Sequence, residues 1–169
     1  MNWIGNGNLL PAGPLRQNLN VLKKFDVVFL KTIKKQENII ITKLKKVNPN
    51  IKIFMTRYVI KNKKKINLKE KYIVFSSIGN PKNFEILLNE NKVKIIDHLI
   101  FPDHYLYSNN EIQKIIIKAK QKNYKILTTE KDYVKIQKIY KKHINCVEVD
   151  LRIKNEPRLI KYLKHKINA

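Results

Sequence analysis

Asp103 and His104 stand side by side in the segment Phe101-Pro102-Asp103-His104-Tyr105. An imidazole titrates near neutral pH and can accept or pass on a proton, and a neighbouring carboxylate supports its charged form or orients other groups. The plain alternative is a surface histidine in a loop. His98, His143 and His165 lack comparable surroundings and read as surface or structural residues. A second set is Thr128-Thr129-Glu130-Lys131-Asp132. Thr129 and Asp132, three apart, suit a helix cap. Glu130 and Lys131 are then left over, able to face a ligand at the same edge as His104. The third set is Ser76-Ser77-Ile78-Gly79-Asn80-Pro81, where Asn80 suits a helix N-cap and Pro81 its first turn. The N–H groups there could hold an anion, although an ordinary strand-to-helix turn accounts for the same residues.

Other chemistries find no residues. The opening Gly5-Asn6-Gly7 lacks the third glycine of a dinucleotide fingerprint, and no glycine is followed by Lys-Ser or Lys-Thr, so no P-loop is present. One cysteine, Cys146, and scattered histidines give no metal-ligand spacing, and there is no Gly-x-Ser-x-Gly elbow.

These three sets need a scaffold that brings them together, and hydrophobic periodicity supplies one. From residue 72 onward, short β-branched runs alternate with longer helical ones, the signature of βαβ units on a parallel sheet. Strands are expected at 72–76, 93–96, 125–128 and 146–149, with helices at 81–89, 109–122, 132–140 and 156–166. The helix at 109–122 has Ile112, Ile115, Ile116 and Ala119 on one face and a capping box of Ser108 and Glu111 at its start. Upstream, 1–15 reads as loop, 25–30 and 51–60 as strands, 37–46 as helix, and the lysine-rich 61–71 as an exposed connector and lobe boundary. Ligands of open parallel sheets gather beyond the carboxyl ends of the strands. Each of the three sets directly follows an expected strand, so all three are expected at one sheet edge.

The 169 residues suffice for one good core or two small lobes, and no apolar run approaches the ~20 residues of a membrane-spanning helix. A single cysteine closes no internal disulfide and fits a reducing compartment. The formal net charge is +23, yet it rests on 32 Lys against 4 Arg. Lys, Ile and Asn together make 78 residues, the set encoded by codons of A and T alone. Base composition therefore explains much of the excess, and a nucleic-acid surface, which usually enriches arginine with interleaved aromatics, is the weaker reading.

Four segments in order, GNGNLLPAGPLR at 5–16, SIGNPKNF at 77–84, FPDHYLYSNNE at 101–111 and LTTEKDYVKI at 127–136, resemble the tetraacyldisaccharide 4'-kinase (lipid A 4'-kinase) family. The resemblance spans most of the chain. It implies phosphorylation of the 4'-hydroxyl of a tetraacyldisaccharide 1-phosphate lipid with ATP and Mg²⁺ at the cytoplasmic face of the bacterial inner membrane, by a peripheral enzyme. It also implies a fold similar to P-loop kinases, with a nucleotide lobe, a second α/β lobe and a β-ribbon between them. On that basis residues 1–35 are expected to be a remnant of the nucleotide-binding lobe, 36–71 a helix, strand and ribbon-like connector, and 72–169 a parallel-sheet α/β/α sandwich. Carried over by motif, Arg16 is placed near the phosphates and Asp103 with His104 facing the reaction. Asn80, Thr129, Glu130, Lys131 and Asp132 are candidate substrate- or phosphate-binding residues, and no residue is expected to bind a metal.

This sequence departs from the family's usual pattern at Gln17, commonly glutamate, and at Ser77, commonly glycine. The family's Walker A loop and its Asp-Asp-Gly-Phe-Gln-His motif, which hold ATP and Mg²⁺, lie upstream of the Gly5 segment. The chain is therefore expected to be the carboxyl-terminal portion, from a truncated gene model, a split gene or a fragment, inactive alone, with a separate amino-terminal half as one candidate partner. The lysines could still touch an anionic membrane surface. A non-catalytic α/β remnant is the alternative expectation.

Overall fold

The computed structural model describes residues 5–31 and 37–168. In chain order its elements are β1 (Val27–Lys31), α1 (Glu37–Val47), β2 (Lys52–Ile60), β3 (Lys71–Ser76), α2 (Pro81–Glu90), β4 (Lys94–Ile100) and α3 (Asn109–Gln121). Then follow β5 (Lys125–Thr129), α4 (Glu130–Val134), α5 (Lys138–Lys141), β6 (Asn145–Val147), β7 (Val149–Ile153) and α6 (Glu156–Ile167), with 3-10 turns at Leu19–Lys24 and Lys63–Lys65. The chain divides into two units, Tyr58–Asp150 and the combination of Met1–Arg57 with Leu151–Ala169.

The Tyr58–Asp150 unit is built on a four-stranded parallel sheet of order β4-β3-β5-β6. Alternate residues of a strand face opposite sides of its sheet, and β3 shows the consequence. Tyr72 and Val74 join Phe84, Leu87 and Leu88 of α2 in one core, and Ile73 and Phe75 join Ile112, Ile115, Ile116 and Ala119 of α3 in the other. Both faces are covered, which is why β3 reads as a continuous apolar run rather than an alternating one. The result is an α/β/α sandwich, the expected class, within Tyr58–Asp150.

The other unit carries a sheet of order β1-β2-β7. β1 pairs parallel with β2 from Val27↔Lys52 to Lys31↔Thr56, and Leu30, Ile40 and Leu44 form its buried cluster. Phe29 on β1 is 53% exposed. Residues 5–16 are a self-tied loop. Leu10 N–H donates to Leu15 O at 2.9 Å, Gly13 N–H to Leu9 O at 2.9 Å, and Asn6 Nδ2 to Ala12 O at 2.7 Å. A Cβ on Gly13 would stand 2.4 Å from Asn8 O, so that position admits glycine alone. The expected loop at 1–15 is therefore described from Gly5 on; residues 1–4 lie outside the described residues.

Three local expectations are corrected. The single helix over 132–140 is two short ones, because Gln137 takes an extended backbone (ψ 143°) and Ile136 turns into the core. The single strand over 146–149 is β6 and β7, in different sheets. Asn62 stands at the break, donating from Nδ2 to Cys146 O at 2.7 Å and accepting from Glu148 N–H at 3.0 Å, bonds a continuous ladder would have used. The connector 61–71 is not exposed throughout. Ile66 is buried with Ile60 in the α2 core, while the lysines of Lys63–Lys65 face outward. Among the described residues no helix is long and apolar enough to cross a membrane.

Candidate functional site

In the order β4-β3-β5-β6 the chain leaves β3 for β4 on one side and, after β4, crosses to β5 on the other. Between β3 and β5 the winding reverses, and the crevice beyond the carboxyl ends at such a reversal is where doubly wound sheets hold ligands. The segments after β3, β4 and β5 thus share one edge. They carry Asn80, the Asp103–His104 pair and Thr129 to Asp132.

The segment after β4 is held tightly although it has no regular structure. Phe101 N–H donates to Ser76 O at 2.9 Å and His104 N–H to Ser77 O at 3.3 Å, extending the β3–β4 pairing beyond the strands. Phe101, Tyr105 and Tyr107 meet pairwise with ring centroids 5.0–5.6 Å apart, and Tyr107 packs edge-on against Phe75 at 5.3 Å. Tyr105 Oη donates to Glu111 at 2.6 Å, and the reciprocal capping box of Ser108 and Glu111 starts α3. These contacts fix the segment at both ends and leave its middle outside. His104 has an 89% exposed side chain and a left-handed backbone (φ 61°), unusual for a residue with a Cβ. Its Nε2 lies 3.9 Å from Asp103 Oδ2, and its N–H also donates to Asp103 Oδ1 at 3.0 Å. Gly79 passes so close that a Cβ there would stand 3.2 Å from Asp103 Oδ2. An exposed imidazole with an adjacent carboxylate can accept a proton or pass one on.

Asp132 is fully buried at the reversal itself. Its Oδ2 accepts from Ser77 N–H at 3.0 Å and Thr129 Oγ1 at 2.7 Å. Its Oδ1 accepts from Ser77 Oγ and from Lys135 Nζ at 3.1 Å. Lys135 also donates to Ser77 Oγ at 2.7 Å. Burial alone would raise the Asp132 carboxyl's pKa. The bonds from Ser77, Thr129 and Lys135 more than offset it and hold the carboxyl below its usual range. Tyr107 Oη, buried, comes near Ser77 and Asp132 without hydrogen-bond geometry to either, and burial first, then the charge of Asp132, pushes its ionisation upward.

The other expected residues are placed as follows. Asn80 caps α2, its side chain accepting from Asn83 N–H at 3.1 Å. Thr129 caps α4, its Oγ1 accepting from Asp132 N–H at 3.2 Å. Glu130 Oε2 accepts from Val149 N–H at 3.0 Å, which turns that carboxylate toward the start of β7. Lys131 is exposed. Arg16, exposed at the end of the glycine-rich loop, belongs to the other unit. His98, read as surface or structural, is structural. Its side chain is 7% exposed, with Nε2 2.9 Å from Ser76 Oγ and Nδ1 3.3 Å from Glu85 Oε2. Sequence reasoning passed over Ser77 and Lys135. Lys135 lies three residues beyond Asp132 on a helical spacing, which was the available signal. Ser77 was visible as the departure from the usual glycine.

The family described as tetraacyldisaccharide-1-P 4'-kinase matches residues 1–168. A tetraacyldisaccharide 4'-kinase of Pelagibacter ubique is 43% identical over 159 residues, covering 94% of this chain and 51% of that protein. Those of Rickettsia typhi and Rickettsia canadensis are each 38% identical, over 154 and 161 residues, covering 90% and 93% of this chain and 46% of each relative. The chain spans about half the length of the curated relatives it matches. No solved structure matches it. With a family match running from the glycine-rich loop to the last helix, and the Asp-His and Thr-Thr-Glu-Lys-Asp segments on one sheet edge, this chain belongs to the tetraacyldisaccharide-1-P 4'-kinase family.

Proposed function

We propose that this chain supplies the carboxyl-terminal half of the cleft of a kinase of lipid A biosynthesis, which transfers a phosphoryl group from ATP to the 4'-hydroxyl of tetraacyldisaccharide 1-phosphate. The observation that carries the reading is the exposed Asp103–His104 pair, held at the carboxyl edge of the sheet within the residues that family matches. Phosphoryl transfer needs positioning, charge neutralisation and removal of the hydroxyl proton. In this reading His104 assists the base that takes the proton, and Asp103 orients the imidazole. Lys131, an exposed cation at the same sheet edge, neutralises phosphate charge, Arg16, exposed in the other unit, is assigned the same task, and Asn80, Thr129 and Glu130 shape the turns that start α2 and α4 beside the pair.

The residues present do not fit an ATP–Mg²⁺ site of their own. The sequence holds no Gly-x-x-x-x-Gly-Lys-Ser/Thr loop to cradle the phosphates, and Leu10 and Gly13 of the glycine-rich loop spend their N–H groups on the loop itself. The nucleotide and its metal are therefore assigned to an amino-terminal half supplied by the rest of the protein or by a separate chain, and this chain alone is expected not to turn over. The lipid substrate places the enzyme peripherally at the cytoplasmic face of the inner membrane, where lysines can meet anionic head groups.

The test is His104→Ala in a chimera that joins the amino-terminal half of the Pelagibacter ubique relative to this chain. Turnover of the lipid substrate should fall about 10²- to 10⁴-fold, the range of a lost acid–base group, with the circular dichroism spectrum unchanged. Turnover within twofold of the parent would remove His104 from the chemistry.

A further inference from the structure

The crevice between β3 and β5, where a sheet wound in this way ordinarily receives a ligand, is filled from within by the carboxylate of Asp132. Two features separate this residue from its neighbours at the same edge. It is fully buried and accepts four hydrogen bonds, so it presents no acceptor to a ligand, whereas Asp103, His104 and Lys131 are exposed. It also does more than start a helix. Capping α4 requires Thr129 Oγ1 to accept from Asp132 N–H, but the Asp132 side chain reaches Ser77, 55 residues away in sequence, at both N–H and Oγ. A buried carboxylate is costly unless paired and fully hydrogen-bonded, and here every donor comes from the turn after β3, from the last residue of β5 or from the segment after it.

Ser77 links this anion to the pair outside. Its N–H and Oγ point in to Asp132, while its carbonyl points out and accepts the N–H of His104 at 3.3 Å. Two residues on, Gly79 lies against Asp103 Oδ2. The left-handed backbone of His104 (φ 61°) is one a β-carbon disfavours and persists only where its surroundings hold it. We propose that Asp132 is a positioning residue: through Ser77 it fixes the wall against which Asp103 and His104 are set, so the acid of the Thr-Thr-Glu-Lys-Asp segment orients the proton-handling pair without touching substrate. The inference rests on the assignment of His104 to the reaction.

The test uses this whole chain, labelled for NMR, with Asp132→Asn and Ser77→Ala. Asp132→Asn keeps the shape but turns an N–H toward a group that now donates. Backbone order parameters of Asp103 and His104 should fall from the rigid range near about 0.85 to below about 0.6, while those of Val74 and Leu127 in the sheet stay within error. A purely structural role would leave both segments ordered until the whole unit unfolds, so unchanged values at Asp103 and His104 overturn the proposal. Should Asp132→Asn fail to fold, Ser77→Ala decides. It keeps the buried ion pair and removes the hydroxyl link, and it should lower the same two order parameters; no change there overturns the proposal equally. In the chimera, Asp132→Asn should reduce kcat at least tenfold with KM for ATP within twofold. If His104→Ala leaves turnover intact while the order parameters fall, the assignment of His104 fails and the positioning stands. If His104→Ala abolishes turnover while the order parameters hold, the positioning fails and the assignment stands.

Discussion

Cys146 shows how far environment decides the chemistry of a residue. Burial, and then the carboxylates of Glu130 and Glu148, push its thiol up to about 11. The thiolate is the reactive form, so at pH 8 only about one thiol in a thousand is ionised. Labelling by iodoacetamide at pH 8 should run at least tenfold slower than for the denatured chain, followed by mass spectrometry; equal rates would show an accessible, unperturbed thiol. Asp132 is the opposite case among acids, with hydrogen bonds overcoming burial. Neither state is written in the residue type. Asp132 and Glu130 differ by two positions in one motif, yet the first is sealed into the sheet edge and the second bonds the start of β7.

At the scale of elements, α3 was fully legible. Its apolar spacing marks the buried face, and its capping box forms with both bonds present. Ser108 Oγ accepts from Glu111 N–H at 3.3 Å, and Glu111 accepts from Ser108 N–H at 2.8 Å. Because Glu111 also receives Tyr105 Oη, the box ties the helix to the Asp103–His104 segment. Ser108→Ala should cost about 1 kcal/mol, read as a lowered denaturant midpoint at unchanged slope, and Glu111→Ala should cost more because it strips Tyr105 as well. Equal costs would mean that Tyr105 gains nothing from the bond. The elements that were misread, 132–140 and 146–149, share one cause. In both, a run with continuous local propensity is interrupted by a tertiary demand: Ile136 filling the α3 core in one, the Asn62 side chain taking the ladder's hydrogen bonds in the other. Local periodicity does not register a partner 84 residues away.

For the molecule as a whole, the distribution of core predicts which part folds alone. Both large clusters, on the two faces of the β4-β3-β5-β6 sheet, draw solely on residues between Tyr58 and Asp150. Among the described residues, the other unit's cluster holds three buried apolar residues, with Ile51, Phe54 and Leu159 buried besides, and Phe25 and Phe29 are left about half exposed. Small cores are marginal. A chain of residues 58–150 should therefore unfold cooperatively, with a thermal midpoint within about 10 °C of the same transition in the whole chain, by near-ultraviolet circular dichroism. Loss of cooperativity would show that this sheet needs the flanking segments. Residues 151–169 are grouped with the first 57, an association sequence order conceals, since β7 joins β2 and not β6.

The sequence by itself determined the parallel α/β class, the buried face of α3, the caps of α2, α3 and α4, and the family. Each of these follows from local residue order: apolar spacing, side-chain oxygens at helix starts, and four motifs in sequence. Tertiary structure alone decided that the acid of Thr-Thr-Glu-Lys-Asp is an internal anion, that Ser77 joins it to His104, and that the last helix belongs with the first unit. The physical reason is common to all three. Burial and hydrogen-bond satisfaction belong to neighbours in space, and between β3 and β5 those neighbours come from segments 55 residues apart.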